Sequence, residues 1–351
     1  MNVHHLEQGI RQQMPMAQVP GLAIAVIEQG DIAYLKGFGV RSTASQEPVS
    51  EHTVFQMASL SKPLFAYAVL QLVESGLLAL DTPLSYYLPR SYLTHDARID
   101  QITARHVLSH SAGFPNWRPG RDHSKGHFDD VPLPIESPPG SRFSYSGEGF
   151  WYLQHVVEQL TGQDLDTVMQ ARVFTPLALR TSSYVWQAAF ENTLADGHDT
   201  NGREMDRDRP TVANAAYSLH SSVTDYARFV RAFLSQPDDL LAEIGTAQVP
   251  VGEQEGLSWG LGWGIQHHDY HEKTLWHWGA NPGYRNFMVI HPTRRTAVLI
   301  LTNSDHGLEI CDPIVQAALN ISTSQPAFQW ILPKDQWRAD GTTPNESTDA
   351  H

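Results

Sequence analysis

The order of strand-like and helix-like segments constrains the fold of this chain more than any other feature. Near the start, GLAIAVIEQGDIAYLKGFG (residues 21–39) reads as two β-strands joined by the turn signal Glu28-Gln29-Gly30-Asp31. After residue 255, short β-type runs return as LGWGIQHH, TLWHWG, YRNFMVIH and TAVLILTN, with turn material such as Pro292-Thr293-Arg294-Arg295 between them. The stretch between these two ends is rich in helix patterns. From Ser59 to Ser75, Leu64, Ala68, Val69, Leu72 and Val73 follow helical spacing, Pro63 falls in the tolerant first turn, and Gly76 supplies a stop. FWYLQHVVEQLTG carries Phe150, Leu153, Val156, Val157 and Leu160 on one stripe. SSVTDYARFVRAFL opens with a capping Ser222 and Asp225 and turns Tyr226, Phe229, Val230 and Phe233 inward. Shorter helices are expected over residues 4–14, ahead of a loop at Pro15 and Pro20, and within EICDPIVQAALNI.

This order predicts an α/β (α+β) fold in which an antiparallel sheet, flanked by helices, is assembled from both chain ends around an inserted all-helical lobe. The expected division is a sheet domain from residues 1–78 and 236–330, a helical domain over 79–235, and a tail over 331–351 that ends in disorder. A length of 351 residues and a 41% apolar share suit one large or two intermingled globular units. With 24 basic against 38 acidic side chains the formal charge is −14, so nucleic acid is an unfavoured partner. Protonating the 18 histidines would turn that charge into +4, and solubility is expected to fall as pH drops toward 6. The lone Cys311 excludes an internal disulfide and a multi-thiolate metal site. No apolar run is long enough for a membrane span, and MNVHHLEQGIRQQM lacks a basic region followed by an apolar one, so the chain reads as cytoplasmic.

The chemistry points to Ser59-Leu60-Ser61-Lys62. Three residues apart at a helix start, Ser59 and Lys62 share one face. A serine hydroxyl needs a base to become a nucleophile, and a desolvated lysine can serve. The positive end of the helix favours a developing oxyanion there. VFQMASLSKPLFA, TARHVLSHSAGFP, FSYSGEGF and WHWGANPGYRNF follow one another along the chain. Together they resemble the serine β-lactamase and penicillin-binding-protein superfamily, and most of all its class C β-lactamases, D-alanyl-D-alanine peptidases and carboxylesterases of β-lactamase fold.

The resemblance implies roles for further residues. Tyr145 takes the place of the family's Tyr-x-Asn tyrosine and would share proton traffic with Lys62, as base or as acid, and as the base that activates water against the acyl-enzyme. His277-Trp278-Gly279 stands where the family usually has Lys-Thr-Gly, with His277 able to donate or relay a proton. The amides of Ser59 and Ala280 would form the oxyanion hole. Gly279, Asn281 and Arg285 are expected at the substrate, Arg285 either clamping a carboxylate or pairing with an acid of the chain. His110 is expected to brace a loop. The family's asparagine position is Gly147, for which Asn281 or Glu148 is the candidate substitute.

The implied activity is serine hydrolysis of a small ester, amide or lactam through an acyl-enzyme, with esters or small amides preferred over β-lactams. No metal or organic cofactor is implied. A metal hydrolase built on His267, His268 and His271, or on His123, His127, Asp129 and Asp130, is disfavoured because the first group falls in an expected hairpin turn and no His-Glu-x-x-His occurs. No Gly-x-Ser-x-Gly elbow is present for an α/β-hydrolase. β-Lactamase or D-amino-acid peptidase activity, and a penicillin-binding sensor that acylates without turnover, remain the alternatives.

Overall fold

A computed structural model of the protein describes residues 1–88, 96–118, 132–252, 256–268, 272–319 and 326–332. Ten strands lie among them: β1 (Gly21–Glu28), β2 (Asp31–Gly39), β3 (Val54–Gln56), β4 (His220–Ser222), β5 (Val249–Pro250), β6 (Leu257–Trp259), β7 (Gly264–His267), β8 (Lys273–Asn281), β9 (Tyr284–His291) and β10 (Thr296–Thr302). The α-helices are α1 (Val3–Met16), α2 (Ser61–Glu74), α3 (Leu84–Tyr87), α4 (Ala104–Leu108), α5 (Gly147–Thr161), α6 (Leu165–Met169), α7 (Val223–Leu234), α8 (Asp238–Ile244), α9 (Cys311–Leu319) and α10 (Pro326–Ile331). None of the described helices is long and apolar enough to cross a membrane.

Eight strands form one antiparallel sheet in the order β2-β1-β10-β9-β8-β7-β6-β5, so strands from the two ends of the chain are neighbours, as the sequence order predicts. The pairing of Ile24 with Ile300 and of Val26 with Val298 sets the register of that junction. Side-chain alternation then divides the core. Leu22, Ile24 and Val26 of β1, with Phe287, Val289, Val298 and Ile300, face α1 and α9, where Leu6, Ile10, Ile314 and Val315 are buried. Ala23, Ala25 and Ile27 face the opposite way, with Met288, Ile290, Leu299 and Leu301, into a core shared with α2, α5 and α7. Every residue of β1 except its last is buried, which explains its nearly continuous apolar run.

Two expected boundaries shift. α1 continues through Pro15 to Met16 instead of ending before it, because the proline costs one hydrogen bond in a last turn that buried Met14 already pins to the core. Ser59 lies in a 3₁₀ turn (Ala58–Leu60) that precedes α2, not in the helix itself. The caps of the larger helices follow the sequence. Ser222 accepts from the Asp225 N–H to start α7, and Gly162 closes α5 in the left-handed region at φ 66°.

Candidate active site

The turn carrying Ser59 is held rigid from several sides. Ala58 takes a positive φ of 50°, a costly conformation for alanine that throws the next residue outward. Ser61 Oγ donates to the Ala58 carbonyl at 2.5 Å and accepts from the Leu219 N–H at 3.1 Å. The Tyr226 hydroxyl donates to Leu60 O at 2.7 Å, and the Tyr184 hydroxyl to Ser61 O at 2.8 Å. Strand β8 comes so near that a Cβ on Gly279 would lie 2.3 Å from the Met57 carbonyl oxygen. Only glycine permits that approach, and it brings the end of β8, with Ala280, beside the Ser59 turn.

Lys62 is 1% exposed, and its Nζ lies 3.0 Å from Ser59 Oγ and 2.9 Å from the Ala216 carbonyl oxygen. Among the described residues no carboxylate pairs with it. Burial therefore pulls its pKa well below the usual lysine range. A neutral amine suits both contacts, one N–H donating to Ala216 O while the lone pair receives the Ser59 proton.

Tyr145 packs its ring 4.7 Å from Lys62 Nζ, on the side of Ser59. Its ring is partly exposed, but its hydroxyl is buried and makes no formed hydrogen bond among the described residues. Desolvation raises the phenol above its ordinary value, and the nearby Ser59 hydroxyl, short of hydrogen-bond geometry, offsets this only in part. Tyr145 therefore holds its proton in the resting site.

His277 is completely buried on β8. Its Nδ1 lies 2.7 Å from the Trp278 carbonyl oxygen, which can only accept, so Nδ1 holds the proton and Nε2 carries a lone pair. That Nε2 has no partner among the described residues. Burial first, then the Lys62 charge, pull the imidazole down to about 3 against the opposing Trp278 bond. Neutral His277 thus presents an acceptor at Nε2.

The other expected site residues are engaged elsewhere. Arg285 donates to Asn281 O at 2.7 Å and to Asp305 Oδ1 at 2.7 Å, and Asp305 also accepts from Gly283 N at 2.8 Å, so the guanidinium braces the β8–β9 turn. Of its two expected roles, the pairing with an acid of the chain is the one observed. Asn281 Nδ2 donates to Gln56 Oε1 at 2.8 Å. Glu148 is not the substitute for an asparagine at position 147, because it forms a fully buried ion pair with Arg118 at 3.0 Å. The space beside Gly147 belongs to Trp117, whose ring atoms would lie 2.4 Å from a Cβ there. Sequence reasoning missed Trp117 and the Ala216 carbonyl, for neither carries a motif of its own.

Among the described residues no group of three or more His, Cys, Asp or Glu side chains could hold a metal. His267 bonds Ser258 and His268 bonds Thr274, at 2.9 and 3.0 Å, while His271, His123, His127, Asp129 and Asp130 lie outside the described residues.

Three comparisons bear on the family and the fold of the chain. The family model described as Beta-lactamase matches residues 6–318. Penicillin-binding protein 4 of Amycolatopsis lactamdurans is 29% identical over 81% of this chain and 81% of its own length. Protein flp of Staphylococcus aureus is 21% identical over 84% of this chain, which spans only 61% of that relative. Among solved structures, the octameric penicillin-binding protein homologue from Pyrococcus abyssi superimposes with a TM-score of 0.80 and 24% identity, covering 95% of this chain and 81% of the other.

Proposed function

Because the chain belongs to the beta-lactamase family, we propose that it is a serine hydrolase acting through an acyl-enzyme on small, uncharged esters. The observation that carries this reading is the buried Lys62 amine, 3.0 Å from Ser59 Oγ and without an acidic partner among the described residues. Ser59 Oγ attacks the carbonyl carbon and passes its proton to Lys62 Nζ. The amides of Ser59 and Ala280 receive the oxyanion. As the bond to the leaving oxygen breaks, Tyr145 gives that oxygen its proton, and the Lys62 ammonium restores the phenol. Water then enters with Lys62 again as base, and Ser59 leaves as a hydroxyl.

Three features support esters over β-lactams. Trp117 fills the place where an asparagine side chain at position 147 would bond an acyl-amide. His277 Nε2 offers a lone pair, which repels a carboxylate. Arg285, the expected carboxylate clamp, is neutralised by Asp305. Penicillin-binding or D-amino-acid peptidase activity is the second reading, favoured by the relative named penicillin-binding protein 4. The deciding experiment compares kcat/KM for p-nitrophenyl butyrate, a chromogenic cephalosporin and a D-alanyl-D-alanine peptide on one preparation. An ester value well above the other two is expected, and a cephalosporin or peptide value at or above it overturns the preference. Labelling with a fluorescent penicillin that is never shed would point instead to a sensor.

A further inference from the structure

One residue holds Tyr145 from three directions. The Ser144 N–H donates to the His110 carbonyl at 2.7 Å, and the Ser146 N–H donates to His110 Nδ1 at 3.0 Å. Between these two bonds the Tyr145 ring stacks on the imidazole, with centroids 4.2 Å apart and planes inclined by 30°. Among the described residues the Tyr145 hydroxyl makes no hydrogen bond of full geometry, so the stack and the two flanking bonds set its direction.

His110 meets these contacts at a cost. Its φ of 54° lies in the left-handed region, which a residue with a side chain enters only when its surroundings enforce it. Since Nδ1 accepts, the ring proton of the neutral imidazole sits on Nε2, and that buried N–H finds no partner among the described residues. A histidine serving only to fill space would not need this tautomer. Phe150 and Trp259 enclose the ring at 5.2 and 5.1 Å and keep it from turning. Burial, with Lys62 and His277 nearby, also keeps it neutral, so it is not itself the acid.

We propose that His110 is a positioning residue that fixes the Tyr145 hydroxyl against the leaving-group oxygen and acts on the reaction only through Tyr145. This rests on the reading of Tyr145 as proton donor. The consequence is a dependence on the leaving group. p-Nitrophenolate departs without a proton, whereas an alkoxide needs one, so a misplaced Tyr145 harms alkyl esters far more than nitrophenyl esters.

The test measures kcat/KM for ethyl butyrate and p-nitrophenyl butyrate, which share one butyryl-enzyme, so their difference isolates acylation. Tyr145→Phe is expected to lose on the order of a hundredfold or more on the ethyl ester and much less on the nitrophenyl ester. His110→Phe, which keeps a ring but removes the acceptor for Ser146, is expected to lose about ten- to a hundredfold on the ethyl ester with little change on the other. Added to Tyr145→Phe, it should cost nothing further. His110→Asn suits the positive φ and keeps an acceptor near the Nδ1 position, so it should show the same asymmetry at smaller size and stands in where the phenylalanine variant does not fold. Equal losses on both esters, or a His110 loss that persists in the Tyr145→Phe background, overturns the positioning role while leaving Tyr145 as the acid. Absence of any asymmetry in Tyr145→Phe alone overturns the acid reading, and the role of His110 with it.

Discussion

Restoring an asparagine at position 147 should not restore a β-lactamase. A Cβ at Gly147 would sit 2.4 Å from two atoms of the Trp117 ring and 2.8 Å from a third, more than an ångström inside contact distance. The ring cannot retreat with its backbone. The Asn116 carbonyl accepts from the Gly147 and Glu148 N–H groups at 3.1 Å each, and Asn116 Oδ1 accepts from Gly147 N at 3.0 Å. On the other side of Trp117, the Arg118 N–H and Nε both donate to Glu148 Oε1 at 3.0 Å, inside a fully buried ion pair. Breaking such a pair costs about 3–5 kcal/mol, so the ring swings on its own side-chain torsions instead. That overpacking costs about 1–3 kcal/mol, with up to ~1 kcal/mol more if the edge contact with Tyr217, 5.8 Å between centroids, is lost. Replacing a glycine returns about 0.4–1 kcal/mol through the unfolded state, which leaves a net loss centred at about 2 kcal/mol. In scanning calorimetry Gly147→Asn should melt several degrees below the parent and gain no cephalosporin turnover. Trp117→Ala in the same chain should recover stability, with a coupling of at least ~1 kcal/mol in the four-member cycle. A Gly147→Asn protein of unchanged melting temperature that hydrolyses a cephalosporin would refute the placement of Trp117.

Three further outcomes follow from the site. Ser59→Ala should fold with stability within about 1–2 kcal/mol of the parent and lose several orders of magnitude in kcat, whereas activity within tenfold on a clean preparation would move the nucleophile elsewhere. The pH–rate profile should show an ascending limb at a pKa below the ordinary lysine value, and Lys62→Arg should abolish activity because a guanidinium keeps its proton; an active arginine variant would make position 62 a mere positive charge. Acid should unfold the protein early. His277 and His220 are buried neutral at about 3 and about 4, so between the ordinary histidine value and pH 4 the unfolded chain binds more protons, and each group loses on the order of 3 kcal/mol of stability as pH falls. Urea midpoints measured from pH 7 to 4 read this directly, and a flat profile would show that one or both rings charge within the fold.

The frame of the molecule was legible because its signals are local. Alternation in residues 21–39 and again after 255 specifies strands, and the sheet order β2-β1-β10-β9 follows once both ends share one core. The spacing of Ser59 and Lys62 likewise survives as a 3.0 Å contact. What sequence reasoning left open depends on neighbours distant in the chain. Arg285 could clamp a substrate or pair with an acid until the turn after β10 placed Asp305 against it. Glu148 looked available until Arg118, thirty positions earlier, took both its oxygens. Trp117 gave no sign that its ring would occupy the space beside Gly147, because that contact exists only once α5 packs on the 116–118 segment.

Proton states were the least legible part, and they decide the chemistry. A sequence names Lys62, Tyr145, His277 and His110 as four titratable groups but not which of them hold a proton at neutral pH. Burial alone drives the lysine toward its free base and the phenol toward its acid form, so the pair is poised for transfer in one direction. The two imidazoles are set by one bond each. The Trp278 carbonyl puts the His277 proton on Nδ1 and leaves a lone pair at Nε2, while the Ser146 N–H puts the His110 proton on Nε2. In the proposed mechanism, charging either ring would place a second cation within reach of Lys62 and raise the cost of its ammonium. That mechanism therefore requires both rings to stay neutral, and burial rather than an acidic partner keeps them so.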